Sequence, residues 1–89
     1  MSVYIVEKPS DNKNISSALE YGDFEFILDS RSNMMYSPVP TISRIRKKLQ
    51  EFNDNDYLLL IGDPVAIGVS MHYALLSNRG KVKLLKWDN

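Results

Sequence analysis

The fold of this chain depends most on one stretch, Tyr57-Leu58-Leu59-Leu60-Ile61-Gly62-Asp63-Pro64. Its first five residues are apolar, and such a run predicts a strand buried on both faces, which is typical of parallel sheets. Asp63 can cap a helix with its side chain, and Pro64 already has the backbone angle of a first helical turn. A strand that leads directly into a helix places Gly62 and Asp63 at the carboxyl edge of a sheet, where open α/β folds bind ligands.

The rest of the chain alternates strand and helix signals in the same way. We predict strands over Val3–Glu7, Asp23–Asp29, Tyr57–Ile61 and Lys81–Trp87. We predict helices between Asn14 and Gly22, over Thr41–Phe52 and over Pro64–Ser77. This alternation predicts one three-layer α/β domain over residues 1–89, Rossmann-like, with a four-stranded and mainly parallel sheet. The expected strand order is 2-1-3-4, which puts a switch point between the first and third strands.

Composition and charge exclude several classes of function. The chain has 89 residues, a formal net charge of zero, no cysteine and one histidine. Cysteine-based catalysis, disulfides and most zinc sites are therefore excluded. A dedicated duplex-DNA protein would usually be more basic, so we do not expect nucleic acid as a partner. Because no long apolar run or signal peptide is present, we expect no membrane partner and a cytoplasmic protein, which for a viral protein means the host cytoplasm.

Carboxylates at the predicted strand ends suggest a metal site. Glu7 ends the first strand and Asp63 follows the third, so the switch point would bring them together. Oxygen ligands of this kind suit Mg²⁺, and Asp29 or Asp88 would have to complete the set. The simpler alternative is that Asp63 only caps its own helix. A small ligand or a nucleotide in the same cleft is a further alternative.

The third helix is unusually apolar. Nine of the twelve residues from Val65 to Leu76 are apolar, which leaves little polar face. A helix that is hydrophobic nearly all round should be covered on both sides, and in a chain of this length a second copy or a partner protein is the natural cover. The residues expected to contact a partner are Met34, Met35, Tyr36, Met71 and Trp87. Methionine and aromatic side chains suit an adaptable binding surface.

Two short motifs resemble those of Toprim domains in type IA topoisomerases and primases. Val3-Tyr-Ile-Val-Glu7-Lys8-Pro9-Ser10 is similar to the first strand of that family, and Leu59-Leu-Ile-Gly-Asp63-Pro64 followed by Gly68 is similar to a later one. The resemblance implies that Glu7 is the acid/base of a Mg²⁺-dependent reaction on nucleic acid and that Asp63 is a metal ligand. Val65 stands where the family has its second aspartate.

The chain as a whole resembles small uncharacterised proteins of tailed bacteriophages. The segments that carry this resemblance are YLLLIGDPVAIG, from Tyr57 to Gly68, and GKVKLLKWD, from Gly80 to Asp88. The resemblance implies a non-enzymatic phage accessory protein that needs no cofactor and acts by protein–protein contact, as a homo-oligomer or on a host or phage protein. The alternatives are the Toprim-like protein with Mg²⁺ and a module for a small ligand or nucleotide.

Overall fold

The computed structural model describes residues 1–9, 14–29 and 38–87. The strands are β1 (Ser2–Glu7), β2 (Asp23–Leu28), β3 (Tyr57–Leu60) and β4 (Lys83–Lys86). The helices are a 3₁₀ helix (Ser16–Tyr21), α1 (Pro38–Lys48) and α2 (Pro64–Ser77). Strands and helical segments alternate along the chain, as the sequence predicts.

The four strands form one parallel sheet with the order β2-β1-β3-β4. This confirms both the predicted α/β class and the predicted strand order. Ile5 at the centre of β1 pairs with Phe26 on one side and with Leu59 on the other. The strand order reverses direction between β1 and β3, so the carboxyl ends of these two strands flank the switch point.

The two faces of the sheet are covered unequally. On one face, α1 and α2 enclose a core that includes Val6, Leu58 and the buried ring of Phe52. On the other face, Ile5 and Leu59 belong to a smaller cluster, against which half-buried side chains pack. The 3₁₀ helix lies on this second face and buries only one of its six residues. The larger of the two cores is therefore the one under α1 and α2.

The sequence misplaces the ends of the first two helices. The first is a 3₁₀ helix, and Asn14 does not cap it: its Oδ1 atom accepts a hydrogen bond from the backbone N–H of Ser16 at 2.9 Å. A segment of six residues gains too little from an α-helical ladder to offset the free energy of nucleation. The second helix begins at Pro38 instead of Thr41, since proline is tolerated in a first turn, and it ends at Lys48 instead of Phe52.

The third predicted helix is correct at both ends. After the C-cap Asn78, both Arg79 and Gly80 have positive φ values, of 57° and 80°. The N–H of Gly80 donates to the carbonyl of Leu75 at 2.7 Å, which closes a Schellman-type turn. In the part of the chain that the structure describes, no helix is both long and apolar enough to span a bilayer.

Candidate functional site

Glu7 and Asp63 meet at the switch point, as the sequence predicts. The Oε1 atom of Glu7 accepts a hydrogen bond from the backbone N–H of Asp63 at 2.9 Å. The N–H of Glu7 donates to the carbonyl of Ile61 at 3.2 Å, which continues the contact between β1 and the chain that leaves β3. The carboxylate of Glu7 thus ties the end of β1 to the start of α2.

Gly62 makes this close approach possible. Its φ is +126°, a backbone conformation that residues other than glycine rarely adopt. A Cβ atom at this position would lie 2.5 Å from the Cβ atom of Glu7 and 2.7 Å from its Oε1 atom. The turn between β3 and α2 therefore requires glycine for its backbone conformation and also for its contact with Glu7.

The carboxylate of Asp63 caps α2. Its Oδ2 atom accepts from the N–H of Ala66 at 3.0 Å, and Pro64 follows in the first turn. This confirms the N-cap prediction. The side chains of Glu7 and Asp63 therefore each accept a hydrogen bond from a backbone N–H group, and both contacts form without a metal ion.

Among the described residues, no further carboxylate is grouped with Glu7 and Asp63 to complete a Mg²⁺ site. The side chain of Asp29 is 85% exposed, and its Oδ1 atom lies 3.9 Å from a guanidinium nitrogen of Arg44. Asp88 lies outside the described residues. Across residues 1–9, 14–29 and 38–87, no three His, Cys, Asp or Glu side chains are grouped so that they could hold a metal ion. The Mg²⁺ site with Glu7 and Asp63 stays a prediction.

The residues predicted to contact a partner lie in different parts of the fold. Met71 is half-buried on α2 and packs against the larger core. Trp87 packs against the cluster on the opposite face, and its indole N–H donates to the carbonyl of Asn14 at 3.2 Å. Met34, Met35 and Tyr36 lie outside the described residues.

The structure shows an exposed apolar surface on α2 that the prediction of individual residues missed. Ala66, Ser70 and Ala74 are buried against the rest of the molecule, and they recur every four residues on one side of the helix. The other side carries Val65, which is 58% exposed, and Leu76, which is 65% exposed. The sequence contained the signal, because small residues that recur every four positions let a helix lie close to its neighbours.

We call this surface the outer face of α2 and define it by Val65, Gly68, His72 and Leu76. All four residues are exposed. They follow the spacing i, i+3, i+7 and i+11, which places them in one row along the helix. From Pro64 to Ser77 the chain has no Asp, Glu, Lys or Arg, so the outer face carries no permanent charge.

A concave surface lies between the 3₁₀ helix and the strands β3 and β4. It is a cleft of about 350 Å³, a volume at the lower end of small-molecule sites. Its apolar wall includes Ile15, Leu85 and Trp87, while Glu20 and Tyr21 come from the 3₁₀ helix. A hydrogen bond with the side chain of Glu20, and then the charge of that side chain, raise the pKa of Tyr21.

Comparison with known proteins shows the family of this chain. Residues 1–89 match the family described as phage Pam3 gp32-like protein. The chain belongs to this family. The match confirms the predicted relationship to small phage proteins, and it gives no support to the resemblance to Toprim domains. No curated protein and no solved structure matches the chain.

Proposed function

We propose that this phage protein is a non-enzymatic accessory protein that acts by protein–protein contact and forms a small homo-oligomer through the outer face of α2. The observation that carries this proposal is the exposure of two large apolar side chains, Val65 and Leu76, on a helix without charged residues. Leu84 on the neighbouring edge strand β4 is also 43% exposed. Large apolar side chains exposed on one uncharged face favour a protein–protein contact site there.

The gain expected from covering these side chains is large for a protein of this size. Burial of apolar surface contributes about 25 cal/mol per Å², so full burial of one Val or Leu side chain contributes about 1.5–3 kcal/mol. In an isologous two-fold pair, the free energy from burying each side chain is gained twice, once in each copy. A chain of 89 residues has a thin core, so stabilisation from an interface would also raise its apparent stability.

The edge of the sheet is a less suitable contact surface than α2. Leu84 and Leu85 of β4 are flanked by Lys83 and Lys86, and lysines on an edge strand discourage pairing with a further strand. Lys83 also lies over the ring of Tyr57, with its Nζ atom 4.3 Å from the ring centroid. These charges favour a contact through the helix over an extension of the sheet.

Light scattering after size-exclusion chromatography tests the proposal. We expect wild-type protein to have a molar mass above the 10.2 kDa of one chain, and we expect Val65→Asp and Leu76→Asp to return it to the mass of one chain. Leu19→Asp is the matched control, since Leu19 is 55% exposed on the 3₁₀ helix. A wild-type mass of one chain from micromolar to millimolar concentration would contradict the homo-oligomer.

A small-ligand or nucleotide module is the second candidate. The sequence predicts its site at the switch point, whereas the observation that favours it is the separate cleft beside Trp87. An aromatic wall can stack against a planar ring, and Glu20 and Lys86 offer polar groups of both signs. The chain has a single tryptophan, so its fluorescence reports on this cleft alone. Saturable quenching by adenosine or ATP that Tyr21→Ala weakens would support the module. Linear quenching, equal in the variant, would reject it.

A further inference from the structure

The outer face of α2 has a recess in one half and a projection in the other. Gly68 is exposed, and a Cβ atom added there would meet no other atom within 4 Å. Leu76 projects from the same face with 65% of its surface exposed. His72 lies between them, four residues from each. Because Gly68 has no side chain, the row has a gap there, the recess at Gly68, and Leu76 is the exposed side chain that would enter this gap in a second copy.

We propose that two copies of the chain pair through α2 in an antiparallel, two-fold arrangement whose axis passes beside His72. Residues equally far from His72 then lie opposite one another, so Leu76 of each copy enters the recess at Gly68 of the other. This contact is made twice, as a two-fold interface requires. The proposal rests on the proposed function, because it specifies how the outer face of α2 is covered.

The charges beyond the two ends of α2 favour the antiparallel arrangement. Asp63 precedes His72 by nine residues, and Lys81 follows it by nine. Antiparallel pairing brings the acidic start of one helix towards the segment with Arg79 and Lys81 in the other copy, and Arg79 and Lys81 are both exposed. Parallel pairing would instead place like charges side by side.

Helix geometry also permits the close contact. Packed helices have axes about 8–10 Å apart, and the shorter distances occur where residues at the contact are small. Gly68 supplies such a position on each helix. At axis distances of about 9–10 Å, facing Cα atoms on cylinders of about 2.3 Å radius lie about 4.4–5.4 Å apart, which is within disulfide range. The residue on the axis can therefore be cross-linked to its own copy.

Disulfide mapping in a chain without cysteine tests the arrangement. Under mild oxidation, we expect His72→Cys to form a covalent dimer at least ten times faster than Leu19→Cys, the exposed control on the 3₁₀ helix. Circular dichroism confirms that each variant is folded, as expected for two exposed positions. Equal rates for His72→Cys and Leu19→Cys would overturn the proposed axis.

A mixing experiment tests the direction of the helices. We expect a mixture of Gly68→Cys and Leu76→Cys chains to form heterodimers at least ten times faster than either variant forms homodimers. Faster homodimer formation by each variant alone would indicate parallel pairing and would overturn the proposal. If light scattering shows a dimer but neither cross-link forms, the homo-oligomer stands and this arrangement fails. If light scattering shows single chains, both fail.

Discussion

The carboxylate of Glu7 at the end of β1 accepts a hydrogen bond from the backbone N–H of Asp63 at the start of α2, at 2.9 Å. Glu7 and Asp63 are 56 residues apart in the chain, and their contact fixes the direction in which α2 leaves the sheet. Asp63 in turn caps the helix through Ala66. The two carboxylates that most resemble a metal site thus have a structural role in positioning the helix that exposes Val65 and Leu76.

Gly62→Ala should be strongly destabilising. The alanine would have to adopt a φ of +126° with its Cβ atom 2.5 Å from that of Glu7, so we expect a loss of about 2–3 kcal/mol in the free energy of unfolding. Urea unfolding in dilute solution measures this loss. Gly68→Ala is the control at dilutions where the chains are separate, because its added methyl group meets no atom of its own chain within 4 Å, and it should gain about 0.5–1 kcal/mol as a helix position. Similar values for the two variants would contradict this account of Gly62.

Mn²⁺ should not bind at the switch point. Because Glu7 and Asp63 each already hold a backbone N–H group, we expect a titration of ¹⁵N-labelled protein to show no saturable broadening of the amide signals of Gly62 and Asp63. The same titration repeated with Glu7→Gln, which keeps an oxygen acceptor for the N–H of Asp63, serves as the control. Saturable broadening that disappears in Glu7→Gln would instead support the Mg²⁺ site and justify nuclease and primase assays.

Arg79→Gly should stabilise the fold. Arg79 has a left-handed φ of 57° at the end of α2, and this conformation is unfavourable for every residue with a Cβ atom. Glycine removes that penalty but is more flexible in the unfolded chain, so we expect a net gain of about 0.5–1 kcal/mol. Thermal unfolding measures the gain. Arg79→Ala keeps the Cβ atom and removes the charge, so an equal gain in Arg79→Ala would trace the effect to charge instead of backbone conformation.

Ser70→Ala should also be stabilising. Ser70 is fully buried on the inner side of α2, and its hydroxyl has no hydrogen-bond partner among the described residues. Removing a buried hydroxyl without a partner should gain about 1 kcal/mol in urea unfolding. Ala74→Ser, the reverse change one turn along the same buried side, should lose a similar amount. A loss of stability in Ser70→Ala would show that the hydroxyl does have a stabilising contact.

The sequence predicts the sheet well because its strands are short apolar runs with clear ends. The run from Tyr57 to Ile61, followed by Asp63 and Pro64, determines a buried strand and the start of α2 almost to the residue. The prediction of the first helix is wrong in two respects. The side chain of Asn14 accepts a hydrogen bond from the N–H of Ser16 instead of capping a helix, and the segment is too short for an α-helix.

The exposed surface is harder to predict than the fold. In most helices a polar side shows which residues face the solvent, but α2 is apolar nearly all round and has no such side. Only the row of small residues, Ala66, Ser70 and Ala74, indicates which side of α2 faces inward. The role of Asp56 is not readable from sequence either. Asp56 is only 4% exposed, and hydrogen bonds from the backbone N–H groups of Ser2 and Asn53 offset the cost of burying its carboxylate; the contact with Ser2 depends on the finished fold.

The most direct test of the central claim is a dilution series of ¹⁵N-labelled wild-type protein followed by NMR. If the outer face of α2 is the contact surface, the amide signals of Val65, Gly68, His72 and Leu76 should shift with concentration along one saturable curve. The signals of Leu19 and Tyr21 on the opposite side of the sheet should stay in place. Spectra that do not change with concentration, or shifts centred on the 3₁₀ helix or on β4, would contradict the account.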